Sequence, residues 1–197
     1  MKKLVFNCRF IFLSILLFFE CSCFAQSWIE TCPEITISGT SNIHDWKAIS
    51  KSGSVRFSAV FDDNQLIQIN EIQVSIPVIS LKSDKGKNLD ERMHKSLKFD
   101  QFPEIKVSLD QVGYIVSIYE MGELFILGFL EIAGRNILEN LHLITQKLTK
   151  GTIQFSLIKK ILITDYGIEM PTALFGMITT GDEVTIHIQF VIQPIER

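Results

Sequence analysis

The stretch Lys82–Asp110, KSDKGKNLDERMHKSLKFDQFPEIKVSLD, carries two periodicities in succession. From Glu104 to Asp110 every second residue is apolar (Ile105, Val107, Leu109) and those between are polar, the pattern of a strand with one wet face. Just before it, Leu89, Met93 and Leu97 recur at i, i+4 and i+8, the pattern of a short amphipathic helix, with Asn88 placed to cap it and Glu91 three residues on. Strand-like sequence flanks this helix on both sides, Glu71 to Leu81 before and Glu104 to Asp110 after. The helix therefore reads as a cover laid over a sheet, and a cover implies an opening beneath it.

The period of two runs on through Val55, Phe57, Ala59 and Phe61, through Ile72, Val74, Ile76 and Val78, through Ile153, Phe155 and Leu157, and through Val184, Ile186, Ile188, Phe190 and Ile192. These are antiparallel-type strands with one face in water. Turn signals at Lys51-Ser52-Gly53, Asp62-Asp63-Asn64, Met121-Gly122, Ala133-Gly134-Arg135, Lys150-Gly151 and Thr180-Gly181-Asp182 divide the chain into roughly eight strands. Eight strands with one apolar face can close into a barrel around a small ligand. Two segments depart from the pattern. Gly122 to Ala133 is apolar on both faces, which calls for a second layer or a partner chain, such as a second copy, over its outer side. Ile161 to Thr179 is broken by Tyr166-Gly167, Met170-Pro171 and Phe175-Gly176 yet keeps Ile168, Leu174 and Met177, and an apolar loop needs burial or a ligand.

The first residues read as an export signal: Lys2, Lys3 and Arg9, an apolar run from Phe10 to Phe19, then Cys23-Phe24-Ala25 with small residues where a signal peptidase reads. That run is well short of the ~20 residues a membrane-spanning helix needs. The expected division is 1–25 as signal peptide and 26–197 as one domain, with Gln26 first in the mature chain and a periplasmic or secreted location. Cys21 and Cys23 also permit a lipoprotein reading, against which Glu20 stands. Without 1–25 the formal charge moves from −3 to −5, since three cations and one anion leave. Such a mildly acidic domain is a poor nucleic-acid binder. Only Cys32 remains, so no internal disulfide can form.

No reactive constellation stands out. His44, His94, His142 and His187 occur singly, without the spacings that build a metal site on one element. His142 and His187 sit on the polar phase of their strands. His44-Asp45 could orient a general base, or could simply anchor a turn at the start of a strand, and no nucleophile elbow accompanies it. Arg92, Lys95 and Lys98 follow at i, i+3 and i+6, with Lys82, Lys85 and Lys87 before them. They form either a solvated cationic face or a rim that attracts an anionic headgroup at the mouth of a cavity.

The order of these blocks resembles the exported bacterial YceI-like family. Ser38-Gly39-Thr40-Ser41-Asn42-Ile43-His44-Asp45-Trp46 is similar to its opening, and Ser80 to Pro103, with Arg92-Met93-His94-Lys95-Ser96, Phe99 and Phe102-Pro103, to its central block. Leu127 to Arg135 looks like its next hairpin. Phe155 onward, with Asp165-Tyr166-Gly167 and Thr180-Gly181-Asp182-Glu183-Val184, looks like its closing strands. The resemblance covers about Ile35 to Ile192. It implies an all-β, eight-stranded antiparallel, lipocalin-like barrel with one short helix near it, whose interior takes an isoprenoid or other lipid chain. Met93 stands where several relatives carry an acidic residue, and Pro77 falls inside a strand, as at an edge or bulge.

The resulting expectation is a non-catalytic carrier or buffer for a polyisoprenoid, quinone-like or fatty-acyl chain, with no cofactor or metal and with transient membrane contact. Its cavity would be lined by Phe57, Ile72, Val74, Ile76, Ile105, Val107, Phe155, Ile188 and Phe190, with Arg92, Lys95 and Lys98 at the rim. Two other readings stay open. One is a protein-interaction module, or a homodimer contact, using strand 122–133; the other is a lipid hydrolase or isomerase using His44 and Asp45.

Overall fold

The computed structural model describes residues 27–62, 65–114, 121–148, 152–170, 172–173 and 177–193. The expected signal segment 1–25 lies outside the described residues, as do Leu174 and Phe175-Gly176 of the apolar loop. In chain order the elements are β1 (Ser27–Thr31), β2 (Glu34–Ser41), β3 (Trp46–Ser50), β4 (Ser54–Asp62), β5 (Gln65–Pro77), β6 (Lys82–Ser83), α1 (Lys87–Ser96), β7 (Glu104–Tyr114), β8 (Met121–Ile132), β9 (Arg135–Lys147), β10 (Ile153–Leu162), β11 (Thr172–Ala173) and β12 (Ile178–Ile192). The hydrogen-bonded order is β1-β4-β5-β7-β8-β9-β10-β12-β2-β3-β6, with β11 pairing on β12.

This path runs through eleven strands, not the eight that turn spacing suggested, and it does not close. Its ends, β1 and β6, share no ladder among the described residues, so the antiparallel sheet curls into an open half-barrel. The extra strands are short: β1 and β3 have five residues each and β6 two, too few for a period of two to show. Pro77, expected at an edge or bulge, is the last residue of β5, opposite Glu104, and a 3-10 turn over Val78–Ser80 follows it. A strand end is where a residue without an N–H costs no ladder bond.

The alternation does set the layers. Ile72, Val74 and Ile76 of β5 pair with Leu109, Val107 and Ile105 of β7 and are buried together, while Gln73 and Ser75 lie on the other side. The chain reverses between β8 and β9 in two residues, Ala133 (φ 50) and Gly134 (φ 80). This is the doubly left-handed geometry that suits the twist of a hairpin. Gly134 is required twice over, because a Cβ there would meet the Phe102 ring at 2.3 Å. Helix α1 begins two residues earlier than the sequence suggested. Gly86 (φ 90) is its N-cap, no side chain caps it, and Asn88 is exposed.

Candidate functional site: an apolar slot under the helix

Helix α1 is held by its polar side. Asp90 and His94 are among the few buried polar residues. Asp90 Oδ1 accepts the Ser83 N–H at 2.6 Å, and His94 Nε2 lies 3.0 Å from the Leu81 carbonyl, to which it donates. These bonds satisfy groups that burial would otherwise leave expensive. They also fix the rotation of the helix. Leu89, Met93 and Leu97, which lie on an adjacent face, are consequently turned toward the barrel mouth.

There they roof a slot of about 80 Å³. Its walls are the ends of strands (Ile37, Ile105, Ile132, Ile161, Val184, Ile186), Trp46, and Ile163 and Ile168 of the loop after β10; Ser96 and Thr180 are its only polar lining among the described residues. Trp46 can lie flat there because β2 has a glycine beneath it: a Cβ on Gly39 would come within 2.6 Å of the indole. The indole N–H donates to the Thr40 carbonyl at 3.1 Å, so the ring presents carbon to the slot. The 163–168 wall is pinned from outside. The Thr164 N–H and hydroxyl both donate to Asp182 (3.0 and 2.8 Å), Arg135 donates to the Asp165 carbonyl (3.0 Å), and the buried Tyr166 hydroxyl donates to Glu139 (3.2 Å). Glu139 in turn pairs with Lys159 at 2.6 Å. Burial first, and the Glu139 carboxylate second, hold the Tyr166 hydroxyl above its ordinary pKa.

Among the residues expected to line a cavity, Ile105 alone reaches this slot. The others face inward as predicted but pack into the closed part of the barrel. Phe57, Ile72, Ile76, Phe155 and Ile188 are fully buried, and Val74, Val107 and Phe190 nearly so. Phe155 lies between Phe57 and Phe190, with ring centroids 5.2 and 5.1 Å away. Three rings from β4, β10 and β12 thus fill the space that alternation marked as interior. Val74 and Val107 also touch a second, polar hollow on the outer face, bordered by Arg56, Gln73, Lys106, Phe129, Glu131 and Asn136.

Arg92, Lys95 and Lys98 are exposed, on the solvent side of α1 and just beyond its end. Lys82, Lys85 and Lys87 pair with Asp90, Asp84 and Glu91, whereas Arg92, Lys95 and Lys98 have no ion pair among the described residues. His44 and Asp45 are exposed in the β2–β3 turn, where the His44 carbonyl accepts the Ser41 N–H and hydroxyl, at 3.1 and 2.6 Å. Asn42 ties this turn to the far side of the mouth, donating to the Met177 carbonyl (2.8 Å) and accepting the Thr179 N–H (3.0 Å). Among the described residues no group of three or more acidic, histidine or cysteine side chains is arranged to hold a metal ion.

No family model matches this chain, and no curated protein matches it. Solved structures do. BcnA of Burkholderia cenocepacia aligns with a TM-score of 0.61 at 15% identity, over 82% of this chain and 96% of that one. A polyisoprenoid-binding domain from Saccharophagus degradans, implicated in plant cell wall breakdown, aligns at 0.60 and 14%, over 86% and 100%. The Campylobacter jejuni YceI protein aligns at 0.56 and 20%, over 76% and 85%. At such identities the likeness is one of fold: this chain has the fold of the YceI protein and of a polyisoprenoid-binding domain.

Proposed function

We propose that this chain is an exported member of the YceI-like family that binds a lipid chain, and that the chain enters the slot beneath α1. The slot itself carries the reading: its walls come from the helix, the 163–168 loop and several strand ends, and they are apolar but for Ser96 and Thr180. Such apolar walls select bulk and flexibility, and a slot of this size takes the end of a polyisoprenoid, quinone-like or fatty-acyl chain. The protein acts as a carrier or buffer. His44 and Asp45 serve the turn and face water.

The surroundings of the mouth support a brief contact with a membrane. Ile43 and Met177, 57% and 74% exposed, are tied together across the mouth by Asn42. Arg92, Lys95 and Lys98, without an ion pair among the described residues, then attract an anionic headgroup while the chain is exchanged.

The test is mass spectrometry of an organic extract of the mature protein, purified from its host without detergent. A stoichiometric prenyl or acyl species supports the reading and names the class. An extract that stays empty after lipids are added refutes it. His44→Ala should leave binding unchanged, and a lost turnover in that variant would instead favour an enzyme.

A further inference from the structure

The hollow on the outer face of the sheet is larger than the slot, about 400 Å³ against about 80 Å³, and polar where the slot is apolar. Register explains its shape. Two adjacent rows of outward side chains cross the strands there. One row is Arg56, Gln73, Ser108 and Phe129, from β4 to β8; the next is Ser54, Ser75, Lys106, Glu131 and Asn136, from β4 to β9. The longer row takes four steps between strands and so measures ~19 Å, at ~4.8 Å a step. Its serines and Ser108 are short, whereas the long side chains of Arg56, Gln73, Lys106, Glu131 and Phe129 stand around them, and the rows enclose a trough with a serine floor. The bonding groups of this trough are largely unspent. Among the described residues the Ser54, Ser75 and Ser108 hydroxyls and the Asn136 amide make no hydrogen bond. Lys106 and Glu131 face each other at 3.8 Å, beyond hydrogen-bond reach. Phe129, which ends the run of exposed apolar side chains Phe125 and Leu127 on β8, stands among these groups with 44% of its surface in water.

We infer that this hollow binds a neutral oligosaccharide, with one sugar ring on the face of Phe129 and its neighbours along the serine floor. A pyranose has a face of C–H bonds that suits an aromatic ring and a rim of hydroxyls, each of which both donates and accepts. The trough meets that rim with both kinds of partner: Arg56 and Lys106 donate, Glu131 accepts, and the serine hydroxyls and the Gln73 and Asn136 amides do either. An acyl chain laid here would leave these groups without partners, at a cost. A phosphate would face the Glu131 carboxylate, and the backbone N–H groups of β5 and β7 beneath it are taken up by the ladders. The slot lies on the inner side of the same sheet, so the two sites are separate and the inference does not depend on the lipid reading.

Titration of the nitrogen-labelled chain with maltotriose, cellotriose and chitotriose, followed by NMR, tests it. The expected result is that at least one of these sugars, at millimolar concentration, shifts the signals of Gln73, Ser108 and Asn136. Phe129→Ala should weaken that binding ~10-fold, as loss of an aromatic face does. Ser108→Tyr, which a strand accommodates and which fills the floor, should abolish it with unchanged circular dichroism. Neither change should alter the binding of an acyl chain. Phe129 is half in water, so its variant keeps the test decisive if Ser108→Tyr folds poorly. Shifts with none of the three sugars overturn the proposal. So does sugar binding indifferent to Phe129→Ala, or a shift of these signals by a nucleoside monophosphate and by no sugar.

Discussion

Met93→Trp should abolish lipid binding and leave the fold intact. Met93 roofs the slot and is only partly buried, so a larger side chain there can move into space that already exists. A slot of about 80 Å³ has room for about five methylene-sized groups, at ~15 Å³ each. At ~0.8 kcal/mol per buried methylene, these are worth about 4 kcal/mol, or roughly three decades in dissociation constant. The indole takes that space, so the variant should bind a long-chain probe about 10³-fold more weakly. Its stability should fall by less than the ~1–3 kcal/mol of an overpacked core. Phe155→Ala is the complement. It sits between two rings away from the slot and should cost ~3–5 kcal/mol of stability while leaving intrinsic affinity unchanged. Val74→Trp, the substitution alternation alone would recommend, is no cavity block: Val74 is 2% exposed and packed, so the variant should simply destabilise. The assay is titration with acyl chains of increasing length by native mass spectrometry, beside a urea melt. Affinity should climb by about fourfold per methylene and flatten after about five. Unchanged binding in Met93→Trp would refute the slot as the lipid site.

Three further outcomes follow from the same contacts. Asp90→Ala strands the part-buried Ser83 N–H and His94→Ala the buried Leu81 carbonyl, and each should cost ~1–3 kcal/mol, the first at the low end; hydrogen exchange over 87–96 should speed up well beyond that of the sheet. Gly134→Val should cost at least ~2 kcal/mol in a denaturant melt, because it forces both a left-handed backbone and a clash with Phe102, whereas Ala133→Gly, relieving φ 50, should be neutral or stabilising. The Tyr166 hydroxyl, raised above its ordinary 10.0, gives a stability contribution that is complete below about pH 10 and lost above it, since there the unfolded chain has released a proton that the folded one keeps; a melt series at rising pH should show this fall, and Tyr166→Phe should remove it.

Part of the slot's lining was legible in the sequence, though not where the period of two pointed. The helix face of Leu89, Met93 and Leu97 and the apolar loop from Ile161 announced surfaces in need of cover, and they meet across the slot. What alternation could not give was height along the barrel. It marks Ile188 and Ile186 alike as inward, yet Ile186 lines the slot while Ile188 is packed below it. Height is set by register, in which Ile186 pairs with Lys159 on one side and on the other with Ile37, more than a hundred residues away in sequence. The half-barrel's openness was hidden for a related reason, because the strands at its two ends are the short ones.

The division of the interior into a filled part and an empty part has a physical cause in α1. If Leu89, Met93 and Leu97 were driven into the barrel as ordinary core, the helix would have to roll inward, and Asp90 and His94 would leave the Ser83 N–H and the Leu81 carbonyl. The two lost bonds would cost ~2–6 kcal/mol together, whereas closing the slot would recover about 4 kcal/mol of methylene burial at most. The polar anchors therefore oppose the collapse with a cost of the same size as its gain. Below the slot, Phe57, Phe155 and Phe190 fill the interior themselves. The empty space thus lies where two buried polar side chains hold the cover off the core.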